Sequence, residues 1–179
     1  DNVLDATQHW YKHITDVDEL SGLPETAIEG ARQAARQKEL DGYVITLDFP
    51  SFYPVMTYGD NRSLRREVYE AFVTRASDQG PDAAKWDNTP VMAEILKRRH
   101  ALAQLLGFDN YAERSLATKM ARSVDEVMEF LNQLAAKSKP QAEKEFAELK
   151  AFVKDEYGVE DLQAWDVGYY SEKLRQKRY

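Results

Sequence analysis

The 179-residue sequence contains no cysteine. That absence excludes disulfide staples, thiolate zinc sites and cysteine nucleophiles. Its eight glycines are scattered as helix stops and turns, so no glycine-rich phosphate loop occurs, and no serine sits in a nucleophile-elbow sequence. No apolar run approaches the roughly 18 to 20 residues of a membrane span, and the N-terminus lacks the basic and apolar pattern of a signal segment. A surplus of base is missing too. Twenty-four Lys and Arg stand against 31 Asp and Glu, a formal net charge of −7, which argues against a surface that tracks nucleic-acid phosphates. What remains is a chain expected to be cytoplasmic, with neither nucleic acid nor membrane as partner. With 43% hydrophobic and 31% charged residues, residues 1–179 read as a single ordinary globular domain large enough to bury most of its apolar surface.

The charge is unevenly spread. Residues 1–29 carry seven acids against the single base Lys12, and so hold −6 of the total. The last nine residues reverse the sign, with Lys173, Arg175, Lys177 and Arg178 against Glu172. A basic helix end complements the helix dipole. The abrupt acidic start and basic finish also read as edges that face further protein.

The hydrophobic pattern is mostly helical, and the fold class expected is mainly α, a helical bundle-like domain with one short strand or extended segment near residues 43–58. Val3, Thr7, Trp10, Ile14 and Val17 recur at helical spacing and predict a first helix. Pro24 suits a first helical turn, and the Ala-rich segment from Glu25 to about Glu39 makes a second. Leu64, Val68, Ala71 and Phe72 mark a helix from about Asn61 to Ala76. Pro90 and the stripe Val91, Ile95, Leu102 and Leu105 define the next, closed by Gly107 as a left-handed terminator. Asn110 with Glu113 predicts a cap for a short helix reaching about Met120. Ser123 with Glu126 is a capping box opening the longest pattern, which runs through Val127, Leu131, Leu134 and Phe146 to about Tyr157. Pro140 interrupts it and predicts a kink or two stacked helices. Residues Trp165 to Tyr179 form the last helix.

Between these helices, Tyr43-Val-Ile-Thr-Leu-Asp48 is rich in β-branched and aromatic residues, and stands out as the one good strand candidate. Pro50 and Pro54 follow and remove backbone donors, so residues 49–58 read as an extended loop. Tyr43, Phe49, Phe52, Tyr53 and Tyr58 in this stretch suit either a peptide groove or packing beneath neighbouring helices.

Metal chemistry has one apparent foothold. His9 and His13 lie four apart on the predicted first helix, the spacing by which zinc peptidases present two ligands, and Asp5 lies one turn earlier. The residue after the first His in that chemistry is a Glu acting as general base, whereas His9 is followed by Trp10, which cannot take a proton. The trio is a decoy, and no metal is assigned to this chain. His100, beside Arg98 and Arg99, projects away from the apolar stripe of its helix and has no catalytic partner.

Several longer strings carry more information. They are Leu20-Ser-Gly-Leu-Pro-Glu25, Gly42-Tyr-Val-Ile-Thr-Leu47, Pro50-Ser-Phe-Tyr-Pro-Val-Met56, Leu105-Leu-Gly-Phe-Asp-Asn-Tyr111, Ser115-Leu-Ala-Thr-Lys-Met120 and Trp165-Asp-Val-Gly-Tyr-Tyr-Ser-Glu-Lys173. In this order, and over essentially the whole chain, they resemble the bacterial oligopeptidase A branch of the thimet oligopeptidase family of zinc metallopeptidases. The resemblance implies a mainly helical two-lobed enzyme that cleaves short peptides in a deep channel, with zinc held by an HExxH helix and a further Glu. No His-Glu-x-x-His occurs among the 179 residues, and in the family that motif follows the region matched here. The expectation is therefore a fragment preceding the zinc helix, inactive alone, with the zinc and the catalytic half supplied by the parent enzyme. Its part would be to build channel wall and limit access to short peptides. Tyr43, Phe52, Tyr53, Tyr58, Trp165, Tyr169 and Tyr170 are the candidates for surfaces facing the channel or the missing half. The alternative is a stand-alone helical module that binds a peptide or protein without cleaving it.

Overall fold

The computed structural model describes residues 1–179, which are mainly helical and form two compact units, residues 1–88 with 149–179 and residues 89–148. In the first unit, helix α1 (Asn2–His9) leads into strand β1 (Tyr11–Ile14), a 3-10 turn (Val17–Leu20), helix α2 (Glu25–Gln37), strand β2 (Tyr43–Thr46) and helices α3 (Phe49–Tyr58) and α4 (Arg62–Val73). The second holds α5 (Thr89–Leu105), α6 (Tyr111–Leu116) and most of α7 (Val124–Tyr157). The last turns of α7 and all of α8 (Ala164–Arg178) belong to the first unit.

The first helix is shorter than its spacing predicts. It ends at His9, and Tyr11–Ile14 is extended, pairing antiparallel with β2 so that Tyr11 faces Thr46 and Ile14 faces Tyr43. A tertiary partner overrides the local period here: Ile14, 1% exposed, joins the core from a strand. Gly42 makes the approach possible. Its φ is +87°, and a Cβ there would sit 2.5 Å from the Ile14 carbonyl oxygen.

The segment after β2 is also different from the extended loop expected. Residues 49–58 are helix α3, with Asp48 at the N-cap. Pro50 occupies the first turn, where a missing N–H costs no intrahelical bond, and Pro54 lies inside. Ser51 and Phe52 donate their N–H groups to the Asp48 carbonyl at 2.9 and 2.8 Å, which starts the helix despite the proline between them and the cap. Val55 and Met56 on this helix enter the core with Leu20, Leu23, Ile45, Leu64 and Val68.

Other boundaries follow their chemistry. The Asn61 side chain accepts from Leu64 N at 3.1 Å to cap α4, and Asn110 accepts from Glu113 N at 3.0 Å to cap α6. Ser123 Oγ accepts from Glu126 N at 3.1 Å at the start of α7, while the Glu126 carboxylate accepts from Arg122 N rather than from the cap residue itself. Gly107, at φ +78°, terminates α5. Pro140 does not divide α7, which is one helix of 34 residues. Its apolar stripe is buried only at Leu149 and Val153, and within residues 89–148 only Ala103 is buried. The stripe of Val91, Ile95, Leu102 and Leu105 on α5 lies exposed.

Candidate functional site

The strongest polar arrangement joins α4 to α8. Arg62 and Arg65 are three apart on α4 and therefore share a face. Asp166, in the first turn of α8, is 0% exposed and receives both. Arg62 donates through Nε to both carboxylate oxygens at 3.1 Å and through Nη2 at 2.7 Å, and Arg65 Nη2 donates to Oδ1 at 2.9 Å. Burial alone would raise the Asp166 pKa, but the two guanidinium hydrogen bonds and the Gln163 N–H outweigh it and hold the carboxyl below its ordinary value. Asp166 also accepts from the Gln163 backbone at 3.1 Å, so the same carboxylate completes the capping box of α8.

Arg65 is itself buried. Its Nη1 donates to the Gly59 carbonyl at 2.7 Å, and the guanidinium lies 4.1 Å from the centroid of the Tyr169 ring. Its Nε has no hydrogen-bond partner. The Tyr169 hydroxyl donates to Asp60 Oδ1 at 2.6 Å, and Ser21 Oγ donates to Oδ2 at 3.1 Å. Burial, then the Asp60 bond, raises the Tyr169 pKa; the same bond is the main reason that the Asp60 carboxyl lies low. The network can fix helices to one another. Of its members, Arg65, Asp166 and Tyr169 are buried, whereas Asp60 and Ser21 lie at its exposed edge.

The aromatic candidates separate into three groups. Tyr53 is 47% exposed and stacks on Phe49, with ring centroids 5.2 Å apart. Tyr43, Phe52, Tyr58 and Trp165 are half-buried. The Tyr43 ring lies 5.4 Å from the Arg32 guanidinium, Phe52 stacks on Phe72 at 3.9 Å, and Trp165 meets the edge of Tyr69 and the guanidinium of Arg66. Tyr169 and Tyr170 are buried, 7% and 6% exposed, edge to face at 5.0 Å. Beside Trp165, an open groove of about 400 Å³ is lined by Arg62, Ser63, Arg66, Asp161 and Gln163.

The histidines do not form a metal site. His9, at the end of α1, has its Nε2 3.1 Å from Lys85 Nζ and 3.8 Å from Asp82 Oδ1. His13, on β1, has its Nε2 2.6 Å from the Asp41 carbonyl. The two lie on different elements with their ring nitrogens engaged separately, and no group of three or more His, Cys, Asp or Glu side chains able to hold a metal occurs. His100 is exposed on α5.

Sequence reasoning missed Arg62, Arg65, Asp60 and Asp166. A signal for Arg65 existed: it lies three residues before Val68 and seven before Phe72, on the apolar face of α4, where a charge requires a partner. Its partner, 101 residues away, had no local signature.

A mainly helical unit with this α4–α8 lock, and with the aromatic α3 beside it, is the class of structure to be placed. Residues 55–179 match peptidase family M3, and the chain belongs to that family. It is 61% identical over 178 residues to oligopeptidase A of Salmonella typhimurium and 60% identical to oligopeptidase A of Escherichia coli, in each case over 99% of this chain and 26% of that protein. A more distant relative, the dipeptidyl carboxypeptidase of Escherichia coli, is 27% identical over 93% of this chain and 24% of that protein. The chain thus spans about a quarter of the length of the curated relatives it matches.

Proposed function

We propose that this chain is a non-catalytic helical segment of a longer, cytoplasmic zinc metallopeptidase of the oligopeptidase A kind, which hydrolyses short peptides. The observation that carries the reading is the 61% identity to an oligopeptidase A across nearly all of this chain but only 26% of that protein. Zinc does not fit the residues present. His9 and His13 are held apart by separate partners, and no third ligand joins them. No step of hydrolysis is therefore assigned to this chain, and the zinc ligands and general base are assigned to the rest of the polypeptide.

The role proposed here is to supply wall and scaffold to a peptide channel. Among the candidates, Tyr53, stacked on the exposed Phe49, presents the most open aromatic surface of α3 and takes the substrate-facing part. Aromatic faces suit short peptides of varied sequence because they contact apolar side chains without demanding a particular hydrogen-bond pattern. Tyr43, Phe52, Tyr58 and Trp165, half-buried, take scaffold parts, and Tyr169 and Tyr170 set the position of α8.

The test compares the 179-residue chain with the product of its complete reading frame on a quenched fluorescent peptide. The longer protein should turn the peptide over, lose activity to a chelator and regain it with zinc, and the 179-residue chain should show no turnover. Chelator-sensitive hydrolysis by the 179-residue chain would overturn the assignment. A stop codon directly after Tyr179 would favour a stand-alone peptide-binding module.

A further inference from the structure

The apolar stripe of α7 runs on beyond the part that is covered. At the C-terminal end of the helix Leu149 and Val153 are buried with Tyr169 and Tyr170 of α8, and Phe152, Leu162 and Leu174 pack around them. Back along the same face the steps of three or four residues pass Phe146, 41% exposed, Ala142, Ser138 and Ala135 before reaching Leu131 and Met128, 48% and 49% exposed, with Leu134 at 54% beside them. Large apolar side chains occupy this face at both ends of the helix, with Ala135, Ser138 and Ala142 between them, while the cover stops at Leu149. Residues 124–148 of α7 extend roughly 37 Å at 1.5 Å per residue. Helix α5 in the same unit has the same character, with Ile95 at 42%, Leu102 at 39% and Leu105 at 82% on one face. One buried residue in 89–148, Ala103, is no core. Bare apolar surface on this scale marks an interface.

The geometry points to an occupant: amphipathic helices of the remaining portion of the same peptidase polypeptide, docked along the faces of α5 and of the N-terminal three-quarters of α7. Two observations favour this occupant over a separate protein. The bare face is continuous with an interface already made by this polypeptide's own α8. The relatives are about four times as long as this chain, so ample polypeptide exists to cover it. A helix is the form that fits, because a stripe that repeats at three and four residues matches another stripe of the same period. The inference rests on the proposal that the chain is part of a longer peptidase, and it adds which surface receives the rest.

Single cysteines placed by Leu131→Cys, Leu134→Cys and Ile95→Cys in the full-length protein provide the test, with maleimide labelling of each site read by mass spectrometry. All three should react about 100-fold more slowly in the native full-length protein than in urea, as buried positions do. Reaction within threefold of the unfolded rate would overturn the inference, as would equal protection in the 179-residue chain alone. Protection that disappears on dilution through a dimer–monomer transition, followed by sedimentation, would also overturn it, because the occupant would then be a second copy. Chelator-sensitive peptide hydrolysis by the same preparation reports separately on the peptidase reading, so the two can fail independently.

Discussion

Arg65 and Asp166, 101 residues apart, meet at 2.9 Å with 1% and 0% of their side chains exposed. Each would be costly to bury alone. Together, with Arg62 on the other side of the carboxylate, they hold the first turn of α8 against α4.

Asp166→Ala should accordingly destabilise the chain by about 3–5 kcal/mol, the range for breaking one partner of a buried ion pair. Urea unfolding measures it. The double replacement Arg65→Met with Asp166→Leu should cost less than the two single losses added together, because neither charge is left unpaired. A simple sum would show that the two side chains act independently. Acid has a defined effect as well. Since the folded-state pKa of Asp166 is depressed, its contribution is complete above the ordinary carboxylate value near 4 and is lost as pH falls through the lower folded value.

The opposite sign applies to Tyr169. Its pKa is raised by burial and by the bond to Asp60, so the stability it contributes is present below about pH 10 and is lost as pH rises through the folded value. In an alkaline titration followed by tyrosinate absorbance, Tyr169 should stay protonated until the chain unfolds. Tyr169→Phe should remove that late component and cost about 1.5–3 kcal/mol, as expected for a hydrogen bond to a charged group. An unchanged titration curve in the variant would assign the late tyrosine elsewhere.

Much of the helical order was legible because caps and terminators are local. Asn61, Asn110, Ser123 and Gly107 act at the ends their chemistry indicates. Residues 11–14 and 49–58 were not legible, for different reasons. Ile14 satisfies a helical period and a strand equally well, and only β2, about 30 residues on, decides between them. Pro50 and Pro54 look like helix breakers, yet a first-turn proline loses nothing, and Val55 and Met56 gain burial by continuing the helix. The site divided in the same way. The aromatics were visible as residue types, whereas the Arg65–Asp166 contact depends on packing between distant segments.

Gly42 tests the β1–β2 approach. Alanine there would have to adopt φ near +87° with its Cβ against the Ile14 carbonyl. Left-handed strain for a residue with a side chain is of order 1–3 kcal/mol, and the contact adds to it. Gly42→Ala should therefore lower the urea midpoint clearly. Gly107→Ala, at φ +78° with no atom within 4 Å of the added carbon, should cost less. Equal losses would mean that backbone strain alone governs both positions.

The aromatic pair on α3 separates a binding role from a packing role. Phe52 stacks on Phe72 at 3.9 Å and packs against the core from a half-buried position, so Phe52→Ala should destabilise by up to about 3 kcal/mol, the low end of the range for a buried aromatic. Tyr53, one residue on, is 47% exposed and faces away from that cluster. Tyr53→Ala should leave stability within about 0.5 kcal/mol of the parent. If its ring contacts substrate in the full-length peptidase, its loss should raise KM about three- to tenfold with kcat unchanged, the equivalent of one aromatic contact. The comparison requires both variants in the full-length enzyme, with KM, kcat and urea midpoint measured on the same preparations. An unchanged KM for Tyr53→Ala would remove it from the channel surface, and a large loss of stability would place it in the core with Phe52.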